Sequence, residues 1–185
     1  MPVFAQSNTA SNVIAALPAG GHVLVMRHAH APTALPTGDQ IETGNASGER
    51  QLDAAGKADA QAIGAQFKAH AIAIGTVYSS PTFRALQTAR LMGFAQPQPR
   101  DELGDGGVSM AAAASGDAGA AWLKDKAAQA PARGENVLLI THGPNITRAL
   151  GDQFKDIADG EIAVFRPDGK GGFALVGRIK PEDWK

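Results

Sequence analysis

Cysteine is absent from the 185 residues. That excludes a disulfide frame, a thiolate nucleophile and any cysteine-ligated metal, and it leaves the redox compartment undetermined. Net charge is nearly absent too: 17 Lys and Arg stand against 18 Asp and Glu, a formal charge of -1. Such a chain has no broad field to draw in nucleic acid or an anionic membrane, so neither is expected as a partner. Any anion it recognises must be met by a few placed Arg and His residues. No apolar run reaches the length of a bilayer span and no complete export signal is legible, so a soluble protein is expected. Val3-Phe4-Ala5 before Gln6 has the small-x-small look of an export cleavage site, but no charged or apolar stretch precedes it. The compartment therefore stays open between cytoplasm and periplasm.

What is present is enough for a core. With 44% hydrophobic residues the chain suits one compact domain over 1–185, with 1–20 read as an N-terminal extension, a possible remnant of an export signal. His22–Arg27 is a short apolar run that reads as a strand buried on both faces. Ala31 to Gln51 is a loop of about twenty residues, a length that in compact domains is usually functional or disordered, and it is read as a substrate-side loop. Asp53 has the place of an N-cap, and Leu52, Gly56, Ala60, Ile63 and Phe67 share one face of a helix running to about His70. Ile74–Ser79 reads as a strand leading into a helix that begins at Ser80-Pro81 and is closed by Gly93. After a short strand beyond Pro97 come an acidic, glycine-rich loop, Asp101–Ser109, and an alanine-rich helix within Met110–Ala130. Asn136–Thr141 is a further strand, followed by His142-Gly143-Pro144 and a helix through Leu150. Glu161–Arg166 and Phe173–Ile179 alternate around a turn at Pro167–Gly172, a hairpin signal.

Strands alternating with helices predict an α/β three-layer sandwich: a central, mostly parallel sheet, helices on both faces and antiparallel C-terminal strands. Ligands in such sheets bind beyond the carboxyl ends of the strands. Arg27-His28, Arg84 and His142 each lie at, or one helical turn past, the end of a different strand. They should converge. Planar guanidinium donors, helix N-termini and two imidazoles at one edge amount to a phosphate pocket that contains a nucleophile.

Three stretches, Leu24-Val25-Met26-Arg27-His28-Ala29-His30, Ser79-Ser80-Pro81-Thr82-Phe83-Arg84-Ala85-Leu86-Gln87-Thr88-Ala89 and Ile140-Thr141-His142-Gly143, together resemble the histidine phosphatase superfamily, also described as phosphoglycerate-mutase-like. The resemblance spans nearly the whole chain in the right order. It implies that His28 is the phosphorylated histidine and that Arg27, Arg84 and His142 hold the phosphoryl oxygens. Ala29 stands where the family commonly has glycine, and no asparagine follows among Ala31 to Leu35 as it does near the mutases. No acid follows His142 directly, as it does in the phytase and acid-phosphatase branch. The pattern is closest to small phosphohistidine phosphatases or stand-alone bacterial phosphatases.

The expected activity is hydrolysis of a phosphomonoester or of protein phosphohistidine through a phosphohistidine at His28, with a small phosphorylated substrate or a phosphoprotein as partner and no cofactor. The alternatives are a mutase-like phosphotransferase and a catalytically idle phosphate-binding domain. A leaving alkoxide needs a proton, and the acidic loop should return to the same sheet edge, which points to Glu102 as donor with Asp105 as its nearest rival. His28 and His30 with His142 could instead form a three-histidine metal site. The neighbouring arginines oppose a cation there, so no metal is expected. Asp39, Glu42, Asn45 and Arg50 in the long loop read either as substrate contacts or as a solvated polar stretch.

Overall fold

The computed structural model describes residues 9–105 and 116–184. At its centre lies β1, Val23–Arg27, in which Val23 to Met26 are wholly buried. Successive side chains point to opposite faces of a strand. Leu24 and Met26 therefore join one core while Val23 and Val25 join another. With both faces covered there is no polar side to show, which is why the segment reads as an unbroken apolar run.

β4, Asn136–Thr141, runs parallel to β1 with Val23 opposite Val137 and Arg27 opposite Thr141. β2, Ile74–Ser79, lies parallel to β4 on its other side, and the two-residue β3, Gln98–Pro99, forms the edge. β5, Ile162–Pro167, is antiparallel to β1, and β6, Phe173–Ile179, closes the sheet. The order is β3-β2-β4-β1-β5-β6. α1 (Ala10–Ala16), α2 (Ala54–Ala69) and α3 (Phe83–Leu91) bring Val13, Ala60, Ile63, Phe67, Ala85 and Ala89 to the core around Leu24 and Met26. α4 (Asp117–Ala127) and α5 (Gly143–Leu150) bring Leu123, Ala127, Ile146 and Leu150 to the core around Val23 and Val25. This is the three-layer α/β sandwich read from the sequence.

Several boundaries differ from that reading. α3 begins at Phe83, with Thr82 at its N-cap, and Ser80-Pro81 forms the turn before it. The first helix was not read at all. Residues 10–16 form α1 and 17–19 a short 3-10 turn, and Val13 and Leu17 are wholly buried, so from residue 9 onward the supposed extension is part of the fold. Seven residues with only Val13 and Ile14 as apolar anchors are too few to show a helical period. The export-like Val3-Phe4-Ala5 and most of the glycine-rich stretch after Asp105 lie outside the described residues. The helix expected within Met110–Ala130 is described from Asp117. Among the described residues no helix is long and apolar enough to cross a membrane.

The long loop from 31 to 51 is knit by its own amides. Asn45 is buried, donating from Nδ2 to Glu49 O (2.8 Å) and Gln51 Oε1 (3.1 Å) while its Oδ1 accepts from Glu49 N (2.9 Å). Gln87 in α3 anchors the far end, accepting from Leu52 N (2.8 Å) and donating to Glu42 Oε2 (2.7 Å).

Candidate active site

Each of the expected phosphate-binding residues sits where the parallel strands end. His28 follows β1, and its N–H continues the ladder to Thr141 O at 3.0 Å. His142 is the N-cap residue of α5, directly after β4. Arg84 is the second residue of α3 and, like both histidines, is buried. Burying a charged guanidinium demands partners, and Arg84 has three. Its Nε donates to His28 Nε2 (3.2 Å), its Nη2 donates to His142 Nδ1 (3.1 Å), and the same Nη2 is bonded to the Asp105 carboxylate. The two imidazoles meet edge to face with centroids 5.1 Å apart.

His28 Nδ1 lies 2.8 Å from Ala29 O, an acceptor only. The ring proton is therefore on Nδ1, and Nε2 keeps a lone pair facing Arg84. Burial pushes the His28 pKa down to about 4, and the positive charges of Arg84 and Arg27 act in the same direction. Burial likewise holds His142 well below the ordinary histidine range, helped by His28 and Arg84. Both rings are neutral near pH 7.

Arg27 is more open and is braced from one side. Its Nη2 pairs with Asp159 (2.7 Å), its Nη1 donates to Ile157 O (2.7 Å), and Gly160 N donates to the carbonyls of both Arg27 (3.1 Å) and His28 (3.0 Å). Its guanidinium lies over Gly143 at the start of α5, where a β-carbon would stand 3.6 Å from Arg27 Nε. Arg50 approaches from the long loop, donating to Pro32 O (2.7 Å) and Ala31 O (2.5 Å). Burial lowers its pKa from the usual arginine value, and it feels the charges of Arg84, Asp159, Asp105 and Arg27. Of the polar residues noted in that loop, Arg50 is the one whose charge reaches His142.

The two acids of the next loop part company. Residues 101–103 form a 3-10 turn, and Glu102 lines a separate groove with Tyr78, Pro81, Arg100, Trp122 and Lys126. The turn is pinned to the sheet by Thr141 Oγ1 donating to Leu103 O (2.7 Å) and by Asn145 Nδ2 donating to Gly104 O. Asp105, immediately beyond, reaches Arg84 and lies 3.8 Å from His142 Nδ1. The loop does return to the carboxyl edge, but it delivers Asp105 there and turns Glu102 away. His30 is also turned away: its Nδ1 meets Asp53 Oδ2 at 2.9 Å, apart from His28 and His142. Among the described residues no three His, Asp or Glu gather as metal ligands. Thr88 supports the site, accepting from Ala29 N (3.2 Å) and donating to Arg84 O (2.8 Å). Its place in the Gln87-Thr88-Ala89 stretch was the only sequence signal for it.

Two histidines and two arginines are thus gathered at the carboxyl edge of the parallel strands of an α/β protein. The chain belongs to the histidine phosphatase superfamily, branch 1, whose family model matches residues 23–137. His142 lies beyond that stretch and joins the set through the fold. No curated protein sequence matches the chain. Among solved structures, the protein histidine phosphatase SixA complexed with tungstate is 20% identical, with a TM-score of 0.62 over 89% of this chain and 99% of that one. A candidate phosphohistidine phosphatase SixA from Nakamurella multipartitia is 25% identical, TM-score 0.59, over 89% and 98%. A phosphoserine phosphatase mutant from Entamoeba histolytica in complex with phosphoserine is 13% identical, TM-score 0.59, over 89% and 99%.

Proposed function

We propose that the protein is a phosphatase that hydrolyses phosphomonoesters or protein phosphohistidine through a covalent phosphohistidine at His28. The observation that carries this reading is the neutral His28 ring, locked by Ala29 O so that its Nε2 lone pair faces Arg84. A neutral imidazole is a competent nucleophile, and a buried one stays neutral across the physiological range. In the first step Nε2 forms a bond to phosphorus as the bond to the leaving group breaks, P–O in an ester or P–N in a phosphohistidine. In the second, water attacks phosphorus and the N–P bond breaks, releasing inorganic phosphate and restoring the ring. Arg27, Arg84, Arg50 and His142 surround the space where charge spreads over the equatorial oxygens, which is most of what phosphoryl transfer asks of a protein.

Asp105 takes the proton-transfer role in this scheme. Once phosphoryl oxygens displace it from Arg84, the Asp105 carboxylate takes a proton from solvent and stands beside the leaving atom to give that proton up; as the carboxylate again, it later accepts one from the attacking water. Rapid quenching of the enzyme with a labelled phosphate ester should trap an acid-labile, base-stable label that His28→Ala does not form. A label on serine or aspartate would overturn the scheme. A panel of aryl phosphate, phosphoserine, a phosphohistidine peptide and a phosphorylated sugar acid then separates the substrate classes and detects any mutase reaction.

A further inference from the structure

Ser80 is wholly buried between β2 and α3, and no step above uses it. Its Oγ lies 2.9 Å from His142 Nε2 and 3.1 Å from Thr82 Oγ1, and it accepts from Thr82 N at 3.3 Å. Across the ring, His142 Nδ1 faces Arg84 Nη2 at 3.1 Å. A guanidinium can only donate, so Nδ1 presents its lone pair and the ring proton sits on Nε2, donated to Ser80. Ser80 then accepts twice and passes its own hydrogen to Thr82 Oγ1.

A phosphoryl oxygen reverses the requirement, because it can only accept. For His142 to bond it through Nδ1, the proton must be on Nδ1, and the group facing Nε2 must donate. A backbone carbonyl or a carboxylate in the place of Ser80 would forbid this, whereas a hydroxyl allows it by rotating. Burial of the ring opposes a second proton in the ligand-free protein.

We infer that Ser80 is a positioning residue that switches His142 from its Nε2–H tautomer without ligand to its Nδ1–H tautomer when an oxyanion is bound. The ring releases one proton from Nε2 and takes one at Nδ1, both exchanged with water while the site is open, so its charge is unchanged. Ser80 turns its hydrogen from Thr82 to His142 Nε2, and Thr82 turns its own toward Ser80 Oγ. The inference rests on the reading of His142 as an oxyanion donor.

Nitrogen NMR of the full chain carrying ring-labelled histidine tests it, with the His142 signals assigned by loss in His142→Gln. Wild type should show protonated Nε2 without ligand and protonated Nδ1 on saturation with tungstate. Ser80→Ala should lower kcat about tenfold, the worth of one ring hydrogen bond, with little change in KM, and Ser80→Thr should recover most of it. Tungstate binding with the ring still protonated at Nε2 would overturn the switch while leaving the phosphatase reading intact, as would full turnover in Ser80→Ala. No tungstate binding and no turnover in wild type would overturn both.

Discussion

A histidine between two arginines is held neutral by its surroundings, and that sets its behaviour in solution. His28 should titrate near pH 4 in the ligand-free protein, far from the ordinary 6.5, because burial and the charges of Arg84 and Arg27 oppose the imidazolium. Its ring signals should therefore stay unchanged from pH 8 to 5.5, and Arg84→Gln should move the midpoint upward. A midpoint near 6.5 in the wild type would mean that water reaches the ring. Asp105 and Glu102 offer a paired test at the same scale. In the first step, read as the burst of phosphohistidine in rapid quench, Asp105→Asn should cost roughly a hundred- to ten-thousandfold on substrates with basic alkoxide leaving groups and far less on an aryl phosphate. Glu102→Gln should be nearly neutral on both, since it lines a different groove. The topological argument that the acidic loop comes back to the sheet edge is legible in the sequence. Which acid arrives is not, because a 3-10 turn at 101–103 rotates the side chains out of any regular period.

At the scale of elements, the contact between α2 and the segment after β1 is set by a missing side chain. A β-carbon on Gly56 would stand 2.1 Å from His30 O, so the helix can lie where it does only with glycine there. Helix propensity alone predicts that Gly56→Ala gains about 1 kcal/mol. The overlap predicts a loss of about 1–3 kcal/mol in urea unfolding, with lowered kcat because the displaced segment carries His28. A net gain would show that the segment moves aside freely. The elements most legible in sequence were those with strong punctuation. β2, β4 and α5 have the expected bounds, and Asp53 caps α2 through Gly56 N at 2.8 Å. α1 escaped because seven residues carry no period, and Asp159 escaped because its pairing with Arg27 crosses more than a hundred residues of chain. Loop partners of that kind follow from the fold, not from local pattern.

For the whole molecule the depressed histidines make acid destabilising. His28 binds its proton near pH 4 when folded and near 6.5 when unfolded, so between those values the unfolded chain holds more protons. Stability on this account is flat above about pH 6.5 and falls as pH drops toward 4, by on the order of 3 kcal/mol. His142 and His22 shift in the same direction and add to the slope. Asp53, Asp156 and Asp168 have lowered values and act only at more acid pH. Melting temperature should fall between pH 7 and 4.5, and His28→Gln should flatten that fall; an unchanged slope would remove His28 from the account. The N-terminal helix belongs to the same cooperative unit, since Val13 and Leu17 are wholly buried. Leu17→Ala should cost about 2–5 kcal/mol in chemical unfolding.

The Asp105 carboxylate on Arg84 has a bearing on turnover. A carboxylate tethered beside its arginine acts as a resident competitor at millimolar or higher effective concentration. On the proposed function, inorganic phosphate left after hydrolysis must displace it to stay, so the chain carries its own eluent. Product inhibition should accordingly be weak in the wild type and several-fold stronger in Asp105→Asn.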